Sequence, residues 1–523
     1  MNNIAENISK IARDPLKYAV APIIYFVYSS TIFLYGYLLQ PWMRKWEQYK
    51  DSKPENRLLL RLKNAETFDE WQDRAAELDR FVPENKKNDK WRRQPASRVY
   101  DYKLIASRLE HLQKARDIED TDNMTYLLRG VLLRNFGGIC DRKLFSHSYL
   151  GTKQLIEEYM EEVVSQIEYI ETTPDFDAQA KIKFFSDSRQ SFGCSALVLQ
   201  GGTALALYHI GVVKALNEQG LLPRIISGTA IGAMIAALIC IHTDEELPNI
   251  LQPDGINLTA FSKKGQSGHF KRRITRFMKY GKFFKEIYAT QRNHMIADKI
   301  VSSSRTQEVP QLLNYLTAPN VLIWSAACCS TASVGLFGSC NLMAKDKNGN
   351  IVKWISSAVK WNHWSETSPA ESEAPLYRLS ELFNVNHFIV SQASIYAIPF
   401  IAKAQNLQHE TLLHKFAYIL ASEFKHRLYQ LDQLHLLPHM LRGVIEEKMS
   451  GNVNVVPDLA FSDFNILFSN PSYKSLAYWI LHGERSLLIE ATVLRLKAMN
   501  VEREPVVVRS RFIENKKRAR SMH

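Results

Sequence analysis

The order of apolar and polar residues predicts a helical region that is followed by alternating strands and helices. FDEWQDRAAELDRF, residues 98–135 and TKQLIEEYMEEVVSQIEYIET repeat apolar positions at helical spacing, which predicts a mostly helical region over residues 45–185. The short apolar runs SALVLQ, RIIS, VLIWSAACC and HFIVSQAS are typical of buried parallel strands. TALALYHIGVVKALNEQG predicts a helix after the first of these strands, with Gly220 as its C-cap.

Strands alternate with helices from residue 190 to residue 400, and this alternation predicts an α/β core. Residues 401–523 are again predicted to be helical, with a basic tail at residues 516–520. A chain of 523 residues is too long for one ordinary domain, so we expect two or three folded units.

An uncharged, apolar segment at residues 18–43 precedes the helical region. Its central run, YAVAPIIYFVYSSTIFLYGYLL, is long enough to cross a bilayer as one helix. Pro22, Gly36 and five tyrosines also suit a hairpin in one leaflet, and a helix buried in the protein is a third alternative. We expect this segment to attach the chain to a membrane.

The excess of basic residues favours an anionic partner. The formal net charge is +12 and 11% of residues are aromatic, which together favour a membrane surface over nucleic acid. No nucleic-acid-reading motif accompanies the charge, so no nucleic acid partner is expected. Residues 270–285, FKRRITRFMKYGKFFK, suit a lipid interface as well as a solvated helix face. The six cysteines form no C-x-x-C pair, which predicts free thiols, and we expect no metal and no cofactor.

The stretch RIISGTAIGAMIAAL has the pattern of a strand, a sharp turn and a helix. Gly228, Ala230 and Gly232 have the G-x-S-x-G spacing of the nucleophile elbow of serine hydrolases, with alanine where the serine belongs. In such an elbow the tight turn projects the central side chain alone, and the following helix directs its positive end at the reacting carbonyl oxygen.

A second glycine-rich turn lies upstream, between the strand SALVLQ and its helix. Its candidate oxyanion-hole residues, which would act through backbone N–H groups, are Gly201, Gly202 and Thr203. The whole block LVLQGGTALALYHIGVVKALNEQGLLPRIISGTAIGAMIAAL resembles the patatin-like triacylglycerol lipases of fungal lipid droplets and their plant relatives. YLTAPNVLIWSAACCS and RLSELFNVNHFIVSQ resemble later blocks of the same family, and the likeness covers roughly residues 20–490.

This resemblance implies a patatin-like three-layer α/β/α domain over residues 190–400, helical regions on either side and a Ser–Asp catalytic dyad. Carried over to this sequence, the nucleophile falls on Ala230, and the D-G turn that holds the base falls on Thr367 and Ser368. Another local alignment offers three alternative carboxylates as base: Glu366, Glu371 and Glu373. Ala206 replaces a common glycine of the oxyanion turn, and Val334 replaces a helix-entry proline.

Residues near the elbow are not expected to replace the missing serine nucleophile or the missing aspartate base. Thr229 is expected to point away from the tip, and Ser227 belongs to the strand. The D-G pair of Asp254 and Gly255 follows the elbow too closely to match the family and is interpreted as an ordinary turn. An engineered replacement of serine would explain Ala230 but not the other departures.

These observations favour a catalytically impaired member of the lipase family, which acts in neutral-lipid metabolism by binding lipid or by scaffolding an active relative. The resemblance implies neutral lipid or phospholipid as ligand and a lipid droplet or the endoplasmic reticulum membrane as location. An active lipase or phospholipase with non-standard catalytic residues is the alternative. A basic membrane-linked interaction protein without a lipid pocket is a third hypothesis.

Overall fold

The computed structural model describes most of the helical region and much of the α/β core. The described residues are 54–65, 67–81, 90–145, 148–174, 176–201, 204–256, 302–305, 310–331, 342–354, 375–393, 451–457 and 472–488, together with residues 419, 423, 426, 427, 430 and 463. Among them no helix is both long enough and apolar enough to cross a membrane. The apolar segment at 18–43 and the basic segment at 270–285 lie outside the described residues.

The helices described in full before the sheet are α1 (Pro54–Lys63), α2 (Phe68–Phe81), α3 (Tyr102–Asp117), α4 (Thr121–Val131), α5 (Gln154–Thr172) and α6 (Ala178–Phe192). The first part of the α/β core contains β1 (Cys194–Gln200), α7 (Tyr208–Glu218), β2 (Ile225–Gly228), α8 (Ile231–Cys240) and α9 (Leu247–Ile250). The remaining elements are β3 (Ser302–Arg305), β4 (Pro310–Leu313), α10 (Ile323–Thr331), β5 (Met343–Lys345), β6 (Ile351–Lys353), α11 (Pro375–Phe383), β7 (Val385–Gln392), β8 (Val453–Val455) and α12 (Tyr473–Leu488).

The amphipathic patterns of the N-terminal region do form helices. Helix α5 buries residues three and four apart, as an amphipathic helix does when one side faces a core. Asp101 and Asp120 cap α3 and α4 by accepting hydrogen bonds from the backbone N–H groups of Leu104 and Asn123. One hydrophobic core runs without interruption from these helices into the α/β part of the chain.

Among the described residues, four parallel strands form the central sheet in the order β2-β1-β7-β8. Leu197 and Ile389, on neighbouring strands, pack into the main core on one face of the sheet. Val198 and Val390 project from the other face and pack against Leu379 of α11. Helices on both faces of a parallel sheet confirm the predicted α/β class.

Helix α12, from the C-terminal region, closes against α7. Arg485 of α12 donates to the backbone carbonyls of Asn64 and Ala65, at 3.3 Å each, and so joins the two ends of the described chain. The Lys214 ammonium of α7 lies 2.5 Å from a carboxylate oxygen of Glu484. The C-terminal helix therefore contacts both the helical region and the α/β core.

Two elements differ from the sequence-based expectation. The run VLIWSAACC, predicted to be a strand, is mainly helix α10, and only Val321 makes a β-bridge, to Ala344. Short apolar runs of small residues do not distinguish a buried strand from a buried helix, and Ile323 packs on Ala237 of α8. The fourth strand of the sheet, β8, comes from beyond residue 400, where only helices were predicted.

Other expectations hold among the described residues. Gly220, at φ 71°, follows α7, and the N–H groups of Gly220 and Leu221 donate to the carbonyls of Asn217 and Leu216, which closes the helix as a Schellman motif. The D-G pair at Asp254 is part of a 3-10 turn, as predicted. Three of the described cysteines form no disulfide bond: Cys140, Cys194 and Cys240.

Candidate active-site elbow

The turn between β2 and α8 places Ala230 at its tip with a strained backbone. Ala230 has φ 54° and ψ −126°, a combination outside the main allowed regions for a residue with a Cβ atom. Such a conformation costs about 1–3 kcal/mol and persists only where the surrounding structure imposes it. The side chain is partly exposed, so the turn presents a methyl group where an elbow serine would present its hydroxyl.

The two glycines of the turn allow the strand and the helix to approach each other closely. A Cβ atom on Gly228 would lie 2.6 Å from the backbone nitrogen and Cα of Ala233. A Cβ atom on Gly232 would lie 2.8 Å from the carbonyl carbon of Leu199 and closer still to its oxygen. Real Cβ atoms essentially never approach other atoms this closely, so both positions require glycine in this geometry.

Two hydroxyl groups fix the turn from its flanks. Ser330, in the last turn of α10, accepts a hydrogen bond from the Ala230 N–H at 2.9 Å, and its side chain is buried. Thr229 donates its N–H to the Leu199 carbonyl at 2.9 Å and accepts the Gly201 N–H on its Oγ1 at 3.0 Å. The elbow is thus held to the carboxyl end of β1 on one side and to α10 on the other.

A buried polar cluster lies at the same carboxyl end of the sheet. His209 Nδ1 is 2.7 Å from Ser391 Oγ, which in turn is 2.7 Å from the Tyr208 hydroxyl. The Tyr208 hydroxyl is also within hydrogen-bond distance of the carbonyls of Gln392 and Val455, at 2.9 and 3.0 Å. Complete burial lowers the pKa of His209 to about 3 and raises the pKa of Tyr208, so both side chains are neutral.

The structure shows only some of the residues that the sequence singled out. It brings Gly228, Ala230, Gly232 and Gly201 together at one end of the sheet, and it buries Ala206 in the 3-10 turn before α7. The N–H of Gly201, a candidate oxyanion donor, is already bonded to Thr229. The other named positions lie outside the described residues: Gly202, Thr203, Val334, Glu366, Thr367, Ser368, Glu371 and Glu373.

Sequence reasoning missed Ser330 and the Tyr208–His209–Ser391 cluster. The serine ends the block WSAACCS, which was interpreted as a strand, so its contact with the elbow could not be foreseen. Within the part of the chain that the structure describes, no group of three or more histidine, cysteine or acidic side chains could hold a metal ion.

Comparison with known proteins decides the family. The model of patatin-like phospholipases matches residues 197–363, which include the elbow, and a domain of unknown function, DUF3336, matches residues 46–190. Triacylglycerol lipase ptl1 of Schizosaccharomyces pombe is 33% identical over 460 residues, which cover 84% of this chain and 82% of that protein. The chain belongs to the patatin-like triacylglycerol lipase family.

Two further relatives have similar identity but different lengths. Triacylglycerol lipase ptl3 of the same yeast is 32% identical over 84% of this chain and 95% of its own length. Triacylglycerol lipase 5 of Saccharomyces cerevisiae is 30% identical over 84% of this chain but only 64% of its own length. The patatin-like match spans the turn, in which Ala230 occupies the central position of the G-x-S-x-G spacing.

Proposed function

We propose that this chain is a catalytically impaired member of its family, which binds neutral lipid or phospholipid without hydrolysing it and acts at a lipid-droplet or endoplasmic reticulum membrane. One observation carries the proposal: the tip of an otherwise complete elbow is Ala230, at φ 54° and ψ −126°. A methyl group cannot form an acyl-enzyme, and removal of a serine nucleophile typically lowers turnover by about a millionfold.

The immediate surroundings of the elbow support this proposal. Two hydroxyls that flank the tip hold the backbone of the turn: Thr229 accepts the Gly201 N–H, and Ser330 accepts the Ala230 N–H. Because Gly201 donates to Thr229, its N–H does not point into an open oxyanion hole. The lipid ligand follows from the named lipase relatives, and binding of lipid without hydrolysis is the role that this geometry leaves open.

A second candidate function is hydrolysis by a displaced nucleophile, and one observation favours it. The Ser330 hydroxyl lies beside the elbow tip, 2.9 Å from the Ala230 nitrogen. Against it, the side chain is buried and lies in the last turn of α10, where the negative end of the helix disfavours a negatively charged nucleophile. An impaired enzyme therefore accounts for the site better.

We expect the unmodified protein to remain unlabelled by a fluorophosphonate probe and to leave triolein intact, since no activated hydroxyl stands at the tip. Gel fluorescence and release of fatty acid measure the two outcomes. The protein should still bind a non-hydrolysable triacyl ether in a saturable manner. Labelling or hydrolysis by the purified chain that is lost in Ser330→Ala would instead establish the second candidate.

Matched variants separate a missing nucleophile from a missing base. Ala230→Ser places a hydroxyl at the tip, and we expect no hydrolysis because the base position carries Thr367. Ala230→Ser combined with Thr367→Asp and Ser368→Gly rebuilds the family's dyad, and labelling of this triple variant alone would show that the elbow still folds as a catalytic scaffold. Hydrolysis by Ala230→Ser alone would mean that a base survives elsewhere.

Membrane association is proposed to depend on residues 18–43. Deletion of this segment should move the protein from the membrane pellet to the supernatant, because it removes the longest uncharged apolar run. Fractionation of cells that express each form measures the shift. Removal of the basic tail at 516–520 is the control and should leave the protein in the pellet. A deleted form that stays with membranes would place the principal anchor elsewhere.

A further inference from the structure

A short hairpin near the elbow has an exposed surface that lies outside the candidate active site. Strands β5 and β6 pair antiparallel, with Lys345 opposite Ile351 and Met343 opposite Lys353. Side chains of directly opposed residues project from the same face of a strand pair. One face of the hairpin therefore carries two lysines and two long apolar side chains.

This face and the adjoining turn are open to solvent. Ile351, on this face, is 57% exposed; Val352, which is opposite Ala344 and projects from the other face, is 42% exposed. Three exposed lysines lie on the strands and in the turn: Lys345, Lys347 and Lys353. Asp346 is the single acidic residue between positions 342 and 354, so the hairpin has an excess of positive charge. Alkyl side chains among lysines suit a phospholipid interface, where alkyl groups enter the headgroup layer and ammonium groups meet anionic headgroups.

Protection of a sheet edge does not explain this composition. Lysines on edge strands commonly prevent pairing with other molecules. Lys345, however, lies on β5, whose neighbour Ala344 already bridges to Val321. Ile351 and Val352 have the opposite effect, because exposed β-branched apolar residues on an edge promote pairing. A lipid surface accounts for both the charge and the apolar side chains.

The hairpin is joined to the elbow through helix α10. Leu322 donates its N–H to the Met343 carbonyl at 2.8 Å, and Met343 donates its N–H to Ser325 Oγ at 3.0 Å. At the other end of the same helix, Ser330 accepts the N–H of the elbow tip. At about 1.5 Å per residue, the hairpin contacts at Leu322 and Ser325 lie about 8 to 12 Å along the helix from the elbow contact at Ser330.

We propose that the hairpin docks the protein on an anionic phospholipid surface, with Ile351 in the headgroup layer and Lys345, Lys347 and Lys353 at the anionic headgroups. The elbow is then separated from the lipid surface by the length of one short helix, α10. This inference rests on the membrane association proposed above and gives it a contact in the folded part of the chain.

Photo-crosslinking tests the contact directly in the full-length protein. With p-benzoylphenylalanine at position 351, irradiation on phosphatidylcholine–phosphatidylserine vesicles should give a phospholipid adduct, detected by its mass. Position 118 is the control, because Ile118 is 76% exposed and lies at the end of α3, in the helical region. We expect the adduct yield at 351 to be about tenfold higher. A cross-link to a second copy of the chain in place of lipid would show that β6 pairs with protein and would overturn the proposal.

Charge removal tests the role of the lysines. The triple change Lys345→Gln, Lys347→Gln and Lys353→Gln should weaken partition onto phosphatidylserine-containing vesicles by roughly 100-fold, because a lysine at an anionic surface contributes about fivefold. A control variant replaces three other exposed lysines by glutamine: Lys103, Lys183 and Lys474. The control removes the same charge and should lose no more than about threefold. Equal losses in the two variants would refute a specific role of the hairpin.

The docking surface and the impaired enzyme can be refuted independently of each other. Hydrolysis of triolein by a chain that still cross-links lipid at position 351 would refute the impaired enzyme and leave the docking surface standing. Absence of the adduct from vesicle-bound protein would refute the docking surface, whether or not the chain hydrolyses lipid.

Discussion

Gly211→Ala should destabilise the protein by at least about 3 kcal/mol, because it forces helices α7 and α12 apart. A Cβ atom at position 211 would lie 2.7 Å from the carbonyl carbon of Ile480 and would overlap its oxygen. Neither atom belongs to a flexible side chain, so only a shift of a whole helix could relieve the overlap. The midpoint of urea unfolding, followed by tryptophan fluorescence, measures the loss, and Trp479 of α12 is one of the reporters.

Gly130→Ala is the matched control for this prediction. Gly130 lies in α4, and a Cβ atom there would meet nothing within 4 Å. Alanine is favoured over glycine in helices by about 1 kcal/mol, so this variant should gain stability. Gly483→Ala tests the same helix crossing from the other side, since its Cβ would overlap the Tyr208 carbonyl oxygen. Unchanged stability of both Gly211→Ala and Gly483→Ala would mean that α12 does not pack on α7 in this way.

The second large effect is a loss of stability in acid that arises from His209. Burial depresses its pKa to about 3 in the folded protein, whereas an unfolded histidine titrates near pH 6.5. Between these two values the unfolded chain binds one more proton than the folded chain, so stability falls as the pH falls. The contribution of neutral His209 to the free energy of unfolding is complete above pH 6.5. About 3 kcal/mol of this contribution should be lost between pH 7 and pH 4.

His209→Gln isolates this proton from all other titrating groups. Glutamine stays neutral, and its amide can still form a hydrogen bond with Ser391. As the pH falls, the free energy of unfolding of the variant should therefore decrease by about 1.4 kcal/mol less per pH unit than that of the unmodified protein. Urea unfolding at several values of pH measures the two slopes. The exposed His111→Gln serves as control for the loss of an imidazole. Equal slopes for His209→Gln and the unmodified chain would mean that His209 is not buried as a neutral side chain.

The local sequence predicted most of the elements that surround the site. The helical patterns gave α2 and α5 almost to the residue, and SALVLQ and HFIVSQAS gave the two central strands. These predictions succeed because burial on one face leaves a periodic trace in the sequence. Helix α10 was not predicted, because the run WSAACC is apolar on all sides and so shows no periodic pattern.

The candidate site was only partly predictable. The spacing of Gly228, Ala230 and Gly232 identified the turn, because two close backbone approaches at fixed distances along the chain require glycine. The contact of Ser330 with the Ala230 N–H was not predictable, since the two residues lie 100 positions apart in the chain. Nor could the sequence show that Thr229 occupies the Gly201 N–H.

The sequence by itself determined the alternation of helices and strands, the position of the elbow and the absence of a hydroxyl at residue 230. These features depend on residue type and local spacing, which the chain states directly. Only the tertiary structure decided which groups surround the tip, that β8 pairs with β7 in the sheet, and that α12 closes on α7 through glycines at both contacts. Such features depend on contacts between residues far apart in the chain, where many pairings are compatible with the same local pattern and packing selects one.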